Sequence, residues 1–202
     1  LATMLNAPVC TTVSGKGSLS ERHPLCAGVV GSNGGVVPTR QVVQQADLVI
    51  FIGCRAGSTT TEHWKYPAPD VPVVHIDVDP NVISANYRTA HAIVGDARLA
   101  LEGLHAFLAA NVSRRVRSEV DGKEVVARAR KAKLDRFHAL AAETVRPIRP
   151  ERVLAELHAL LPRDAVVVAD PGTPCPYVSC YYEVLEPGRH FITNRAHGAL
   201  GY

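Results

Sequence analysis

Leu48-Val49-Ile50-Phe51-Ile52-Gly53 decides the fold. The run is short, continuous in apolar residues, rich in β-branched side chains and stopped by glycine. That is how a strand buried on both faces of a parallel sheet reads. Working outward, Val73-Val74-His75-Ile76-Asp77-Val78-Asp79 repeats the pattern before Pro80 closes it, and Ala92-Ile93-Val94-Gly95-Asp96 repeats it again. Helical signals alternate with these strands. Pro38 at a first helical position opens a short helix through Ala46. Asn81 to Tyr87 reads as another short helix, and Leu99, Leu101, Leu104, Phe107 and Leu108 give Ala97 to Ala110 a helical spacing. Upstream, Pro8 to Val13 is a candidate first strand. Leu25 to Gly35 carries Gly28, Gly31, Gly34 and Gly35 and reads as a loop. Alternation of this kind gives an α/β class with a parallel sheet and right-handed crossovers.

A second unit follows. Gly122 to Glu143 is a long charged helix, after which Pro147 and Pro150 punctuate the chain. Val153, Leu154, Leu157, Leu160 and Leu161 form a helical apolar stripe. Ala165-Val166-Val167-Val168-Ala169 is a buried strand ending at Asp170, and Phe191-Ile192-Thr193 is the next. The chain opens at Leu1 and stops just after Gly198-Ala199-Leu200-Gly201-Tyr202. The expectation is a whole α/β domain over residues 1–110, a linker helix over 111–147, and the truncated start of a second α/β domain over 148–202.

Composition limits the function. Of 202 residues, 47% are hydrophobic, 20% charged and only 5% aromatic, so the core is built from aliphatic side chains. A net charge of +3 is too weak to point to nucleic acid. The basic run Ser113 to Lys133 has acidic residues mixed in and no aromatic to stack on bases, so it reads as a solvated linker helix rather than a polyanion site. Five cysteines without paired spacing argue against a disulfide framework and a zinc site, and make a reducing, cytoplasmic setting the expectation. No apolar run approaches a membrane span and no signal peptide is visible. No histidine lies three to five residues from another, which disfavours a zinc pair, and no P-loop or Ser-His-Asp arrangement is found. His75, in mid-strand, reads as a satisfied core histidine.

Ligands of open parallel sheets bind beyond the carboxyl ends of the strands. There the sequence places Gly53-Cys54-Arg55-Ala56-Gly57, Asp77-Val78-Asp79 and Gly95-Asp96-Ala97, with the glycine loop Gly31-Ser32-Asn33-Gly34 upstream. Glycines permit close approach, Arg55 matches a phosphate, and the carboxylates match ribose hydroxyls or an adenine amine. The competing reading is that the glycines only turn the chain and Asp96 caps the next helix. In the second unit, the backbone of Asp170-Pro171-Gly172-Thr173-Pro174 could meet an anion, and an ordinary Pro-Gly turn competes with that.

The ordered set of blocks resembles a known family. Pro8 to Gly17, Glu21-Arg22-His23-Pro24-Leu25, Gly28 to Gly31, Ala46 to Gly53 with Arg55, His75-Ile76-Asp77-Val78-Asp79-Pro80 and Gly95-Asp96-Ala97 resemble the central domain of thiamine-diphosphate-dependent enzymes, in their acetolactate synthase-like branch. Val168-Ala169-Asp170-Pro171-Gly172 and Gly198-Ala199-Leu200-Gly201-Tyr202 are similar to the start of that family's diphosphate-binding domain. The resemblance implies a Rossmann-like, DHS-like NAD/FAD-binding fold for residues 1–110. Gly31, Ser32, Asn33, Gly34, Gly53, Arg55, Asp77, Val78, Asp96 and Ala97 would be its nucleotide-binding positions. Where acetolactate synthases have His then Gly-Thr, this chain reads Ser32-Asn33-Gly34-Gly35; where they have Phe-Asp-Asp, it reads Ala56-Gly57-Ser58-Thr59. FAD, another adenine nucleotide or none therefore stay open.

The resemblance also implies thiamine diphosphate contacts at Asp170, Gly172, Thr173, Pro174, Gly198, Ala199 and Leu200. It implies Mg²⁺ in the full-length parent, a 2-keto acid substrate, transferase or lyase chemistry, and at least a homodimer. The glutamate that activates the cofactor and the metal-holding motif fall outside this chain in the family pattern; Glu21, Glu62 and Glu102 do not match by position. The isolated chain is thus expected to be inactive. The alternative is a stand-alone adenine-nucleotide-binding or structural module without catalysis.

Overall fold

A computed structural model describes residues 1–111, 120–194, 198, 200 and 201. The decisive run forms β3 (Val49–Ile52), and the two similar runs form β4 (Val73–Asp77) and β5 (His91–Val94). They pair in the order β3-β4-β5, all parallel, with Phe51 opposite His75 and His75 opposite Ala92. Helix α4 (Ala97–Ala110) follows β5, lies against β4, and starts where Asp96 accepts a hydrogen bond from the Leu99 amide at 3.0 Å. The α/β class with parallel sheets is therefore as read.

A second parallel pair, β1 (Val9–Thr11) with β2 (Cys26–Val29), is preceded by the short helix α1 (Ala2–Leu5). β2 corrects the reading of Leu25 to Gly35 as loop throughout. All four of its residues are buried, and Gly28 sits at φ 92° beside an irregularity in the register. Small residues there let helices approach closely. Helix α2 (Val37–Gln44) carries Pro38 in its first turn and packs on β2 together with α5 (Gly122–Ala141).

Two further readings need correction. Asn81 to Tyr87, read as a helix, is a series of turns. Asp79 Oδ1 takes the Asn81 amide and side chain at 2.9 Å each, and Ser84 adopts φ 59°, so the local polar bonds divert the backbone from a helix. The described part of the supposedly solvated linker is α5, which is a core element. Val125, Val126, Ala129, Lys133, Phe137 and Ala141 are buried along one face, while Arg128 and Lys131 stay in solvent. Ser113 to Glu119 lie outside the described residues.

The second unit contains α6 (Pro150–Leu160), β6 (Val167–Val168), α7 (Pro174–Tyr181) and β7 (Phe191–Ile192), with β6 and β7 parallel. The largest core cluster joins both units: Val13 and Val29 pack with Phe137, Leu154, Cys175, Val178 and Phe191. Phe137 stacks on Tyr181 with ring centroids 4.9 Å apart. The junction also holds buried charge. Lys16 and Glu21 form an ion pair at 2.5 Å, Glu21 Oε2 accepts from the Val184 amide, and Lys133 donates to the Cys180 carbonyl. All five cysteines are free thiols. No helix among the described residues is long and apolar enough to cross a membrane.

Candidate functional site

Two groups of residues stand at carboxyl ends of parallel strands. The first lies above β3, β4 and β5. Gly53, at φ 56°, Gly57 and Gly95 have nothing within 4 Å of where a Cβ would stand, so the space over the strand ends is open. Arg55 and Val78 are exposed beside it, and Asn86 fixes the Arg55 carbonyl with a 2.8 Å bond. Asp77 is buried, with Oδ1 accepting from the Asp79 amide at 3.0 Å. Asp96 caps α4 through one oxygen, the role named for it in the competing reading, and Ala97 is the first residue of that helix. His75 is buried and bonds the Cys54 carbonyl at 2.9 Å, which supports the turn carrying Arg55.

The glycine loop meets this group on one side only. Ser32 donates its amide to Thr59 at 2.8 Å, and a Cβ on Gly31 would collide with the same carbonyl. A Cβ on Gly34 would stand 2.1 Å from Ser179 Oγ, which itself donates to the Asn33 carbonyl at 3.1 Å. Gly31 and Gly34 are therefore used for close packing within the chain. Ser32 and Gly34 line a cavity of about 270 Å³ between this loop and helices α5, α6 and α7.

The second group follows β6 and β7. Asp170 accepts from the Gly172 amide at 2.9 Å and from the Gly201 amide at 2.5 Å, so one carboxylate ties together two loops far apart in sequence. Leu200 lies against Gly172, 3.1 Å from its Cβ position, and is otherwise exposed. Gly198 has φ 58° and open space around it. Pro174 opens α7, and Thr173 before it makes no side-chain capping bond. The hydroxyl of Thr193, one residue past β7, is buried without a hydrogen-bond partner among the described residues. Ala199 lies outside the described residues. Sequence reasoning missed Asp170 as the tie between the loops; the adjacency of β6 and β7, invisible in the sequence, makes it one.

Each of the three glutamates set aside by position is in an ion pair. Glu21 pairs with Lys16, Glu62 with Arg40 and Glu102 with Arg98. Among the described residues no group of three or more His, Cys, Asp or Glu side chains is arranged to hold a metal ion.

Residues 1–104 match the thiamine pyrophosphate enzyme central domain. The chain is 31% identical over 215 residues to a probable acetolactate synthase large subunit of Methanocaldococcus jannaschii, an alignment covering 100% of this chain and 34% of the relative. It is 27% identical over 199 residues to the acetolactate synthase isozyme 3 large subunit of Escherichia coli, covering 98% and 34%. It is 31% identical over 205 residues to a probable 2-ketoarginine decarboxylase of Pseudomonas aeruginosa, covering 100% and 34%. The chain thus spans about a third of the length of the curated relatives it matches.

Proposed function

The chain belongs to the thiamine pyrophosphate enzyme family, and from that premise we propose that it is a section of a thiamine-diphosphate-dependent enzyme that decarboxylates a 2-keto acid and ligates or releases the acyl unit. Residues 1–110 serve as its central domain, 111–147 as the connection, and 148–202 as the start of its diphosphate-binding domain. The observation that carries this reading is the convergence of the two loops on Asp170, beyond the carboxyl ends of β6 and β7.

The residues present fit the cofactor. Thr173 has a hydroxyl unused in capping, and Thr193 has a buried hydroxyl without a partner among the described residues. Gly198 offers a carbonyl on open backbone, and Leu200 is an exposed apolar side chain suited to wedge a bent cofactor, with Ala199 between them. Thiamine diphosphate supplies an electron sink when bound; the protein orients it and excludes water. Asp170 holds the two loops in register, so it is a positioning residue. The activating glutamate and the holder of Mg²⁺ are assigned to other parts of the full-length protein.

Over β3, β4 and β5, Gly53, Arg55, Asp77, Val78, Asp96 and Ala97, with Gly31, Ser32, Asn33 and Gly34 as the neighbouring wall, take FAD or another adenine nucleotide. Arg55 meets a phosphate, and the second oxygen of Asp96 remains for a hydroxyl. The parent enzyme works in the cytoplasm as at least a homodimer.

The test uses the full-length protein with thiamine diphosphate, Mg²⁺ and pyruvate or another 2-keto acid. Carbon dioxide release that needs the cofactor is expected, with weaker cofactor binding in Asp170→Ala. The 202-residue chain alone should turn over nothing. Turnover by the isolated chain would overturn the placement of the glutamate. Absence of thiamine diphosphate binding to the full-length protein would overturn the functional reading.

A further inference from the structure

The turn that carries Arg55 is an exposed loop with a closely fixed backbone. Gly53 starts it at φ 56°, its amide donating to the Ile76 carbonyl at 2.8 Å. Ala56 closes it at φ 47° and is only 1% exposed. A residue with a side chain keeps a left-handed backbone only where its surroundings over-determine it. Two side chains do so here. Nε2 of His75 donates to the Cys54 carbonyl at 2.9 Å, and Nδ2 of Asn86 donates to the Arg55 carbonyl at 2.8 Å. The two clamps share a footing. The Phe51 ring on β3 lies 5.7 Å from the His75 ring and 5.7 Å from that of Tyr87, the neighbour of Asn86.

The cation on this turn is treated differently. The guanidinium of Arg55 is exposed and makes no hydrogen bond or ion pair with a described residue. Its backbone is held while its charge is left unspent. That combination delivers a group to one place ahead of its ligand, so that less ordering is lost on binding. Asn86 also reaches across the site. It belongs to the turns that follow Asp77 and Asp79, so its bond ties the end of β4 to the end of β3. We propose that His75 and Asn86 are positioning residues of the nucleotide site: by clamping successive carbonyls they hold Arg55 in place for a diphosphate, and the site selects nucleotides over nucleosides. This rests on the adenine-nucleotide reading given above.

The test is calorimetric titration of the full-length protein, stripped of any bound nucleotide, with ADP and with adenosine. ADP should bind at least about tenfold more tightly, through its charged phosphates, and Arg55→Ala should abolish that preference. Asn86 is exposed and makes no other bond to a described residue, so Asn86→Ala should fold. It should weaken ADP at least about threefold, the worth of one hydrogen bond, and leave adenosine unchanged. In the Arg55→Ala background it should change neither. His75→Gln keeps a donor for the Cys54 carbonyl and should retain ADP, whereas His75→Leu should lose it at least about threefold. If His75→Leu fails to fold, the Asn86 and Arg55 cycle decides. ADP binding untouched by Asn86→Ala, an equal fall for adenosine, or the same loss without Arg55 would overturn the positioning role and leave the nucleotide reading standing. No binding of ADP by the unaltered protein would overturn both.

Discussion

Replacing Glu21 by Gln should unfold the junction between the two units. The Glu21 side chain is 5% exposed and Lys16 is fully enclosed beside it, with Lys133 another buried cation nearby. Removing one partner of a buried pair leaves the other charge unpaired, at a cost of about 3–5 kcal/mol. Set against a typical domain stability of about 5–15 kcal/mol, that is a large fraction of the total. Urea unfolding followed by circular dichroism should show the midpoint fall accordingly. The double variant Lys16→Met with Glu21→Leu should recover most of the loss, because an apolar pair of similar volume needs no counter-charge.

The pH dependence gives a second arm. Burial holds the Lys16 ammonium below its ordinary 10.5, outweighing the pull of Glu21, and Lys133 adds to the lowering. A lysine with a lowered folded pKa binds fewer protons folded than unfolded. Stability therefore rises with pH between the folded value and 10.5, as the enclosed charge is relieved. Without Glu21 the lowering deepens and the rise becomes steeper. A loss under about 1 kcal/mol, or a flat alkaline profile in the Gln variant, would refute the account of the pair as a coupled buried charge.

Gly34→Ala should destabilise by about 2–4 kcal/mol, since its Cβ would stand 2.1 Å from Ser179 Oγ at φ 129°. Gly53→Ala, with open space and φ 56°, should cost only about 1–2 kcal/mol; equal losses in thermal melts would contradict the packing described. Asp170→Ala should raise amide exchange at Gly172 and Gly201 at least tenfold, read by hydrogen exchange; unchanged rates would separate those loops from Asp170. Cys180 is pushed up to about 11 by burial, so at pH 8 its alkylation should run about a hundredfold slower than that of a free cysteine, as mapped by mass spectrometry.

The strands most legible in the sequence were β3, β4 and β5, because β-branched runs bounded by Gly or Pro admit few other structures. β2 escaped notice because Cys26-Ala27-Gly28-Val29 has neither bulk nor alternation; α2 and α5 pressing on it supply its burial. The buried face of α5 was masked by Lys133, a cation in the middle of an otherwise apolar stripe. Of the candidate site, residue types and strand ends could be read locally. The convergence on Asp170 depends on the pairing of β6 with β7, and the cavity on the meeting of the glycine loop with helices α5, α6 and α7. Neither is encoded within one window of sequence.

The clasp at the junction bears on how the chain is made. Ser20 and Glu21 find their partners at Leu185 and Val184, 165 and 163 residues further along. On a ribosome adding about 5–20 residues per second, the start of the chain must wait on the order of ten seconds for those partners to emerge. During that interval Lys16 and Glu21 remain hydrated and the half-built core around Val13 and Val29 lacks its covering helix. Translation speed through the later helices then becomes a determinant of yield, and nascent chains stalled before residue 180 would be natural clients for chaperones that shield apolar surface.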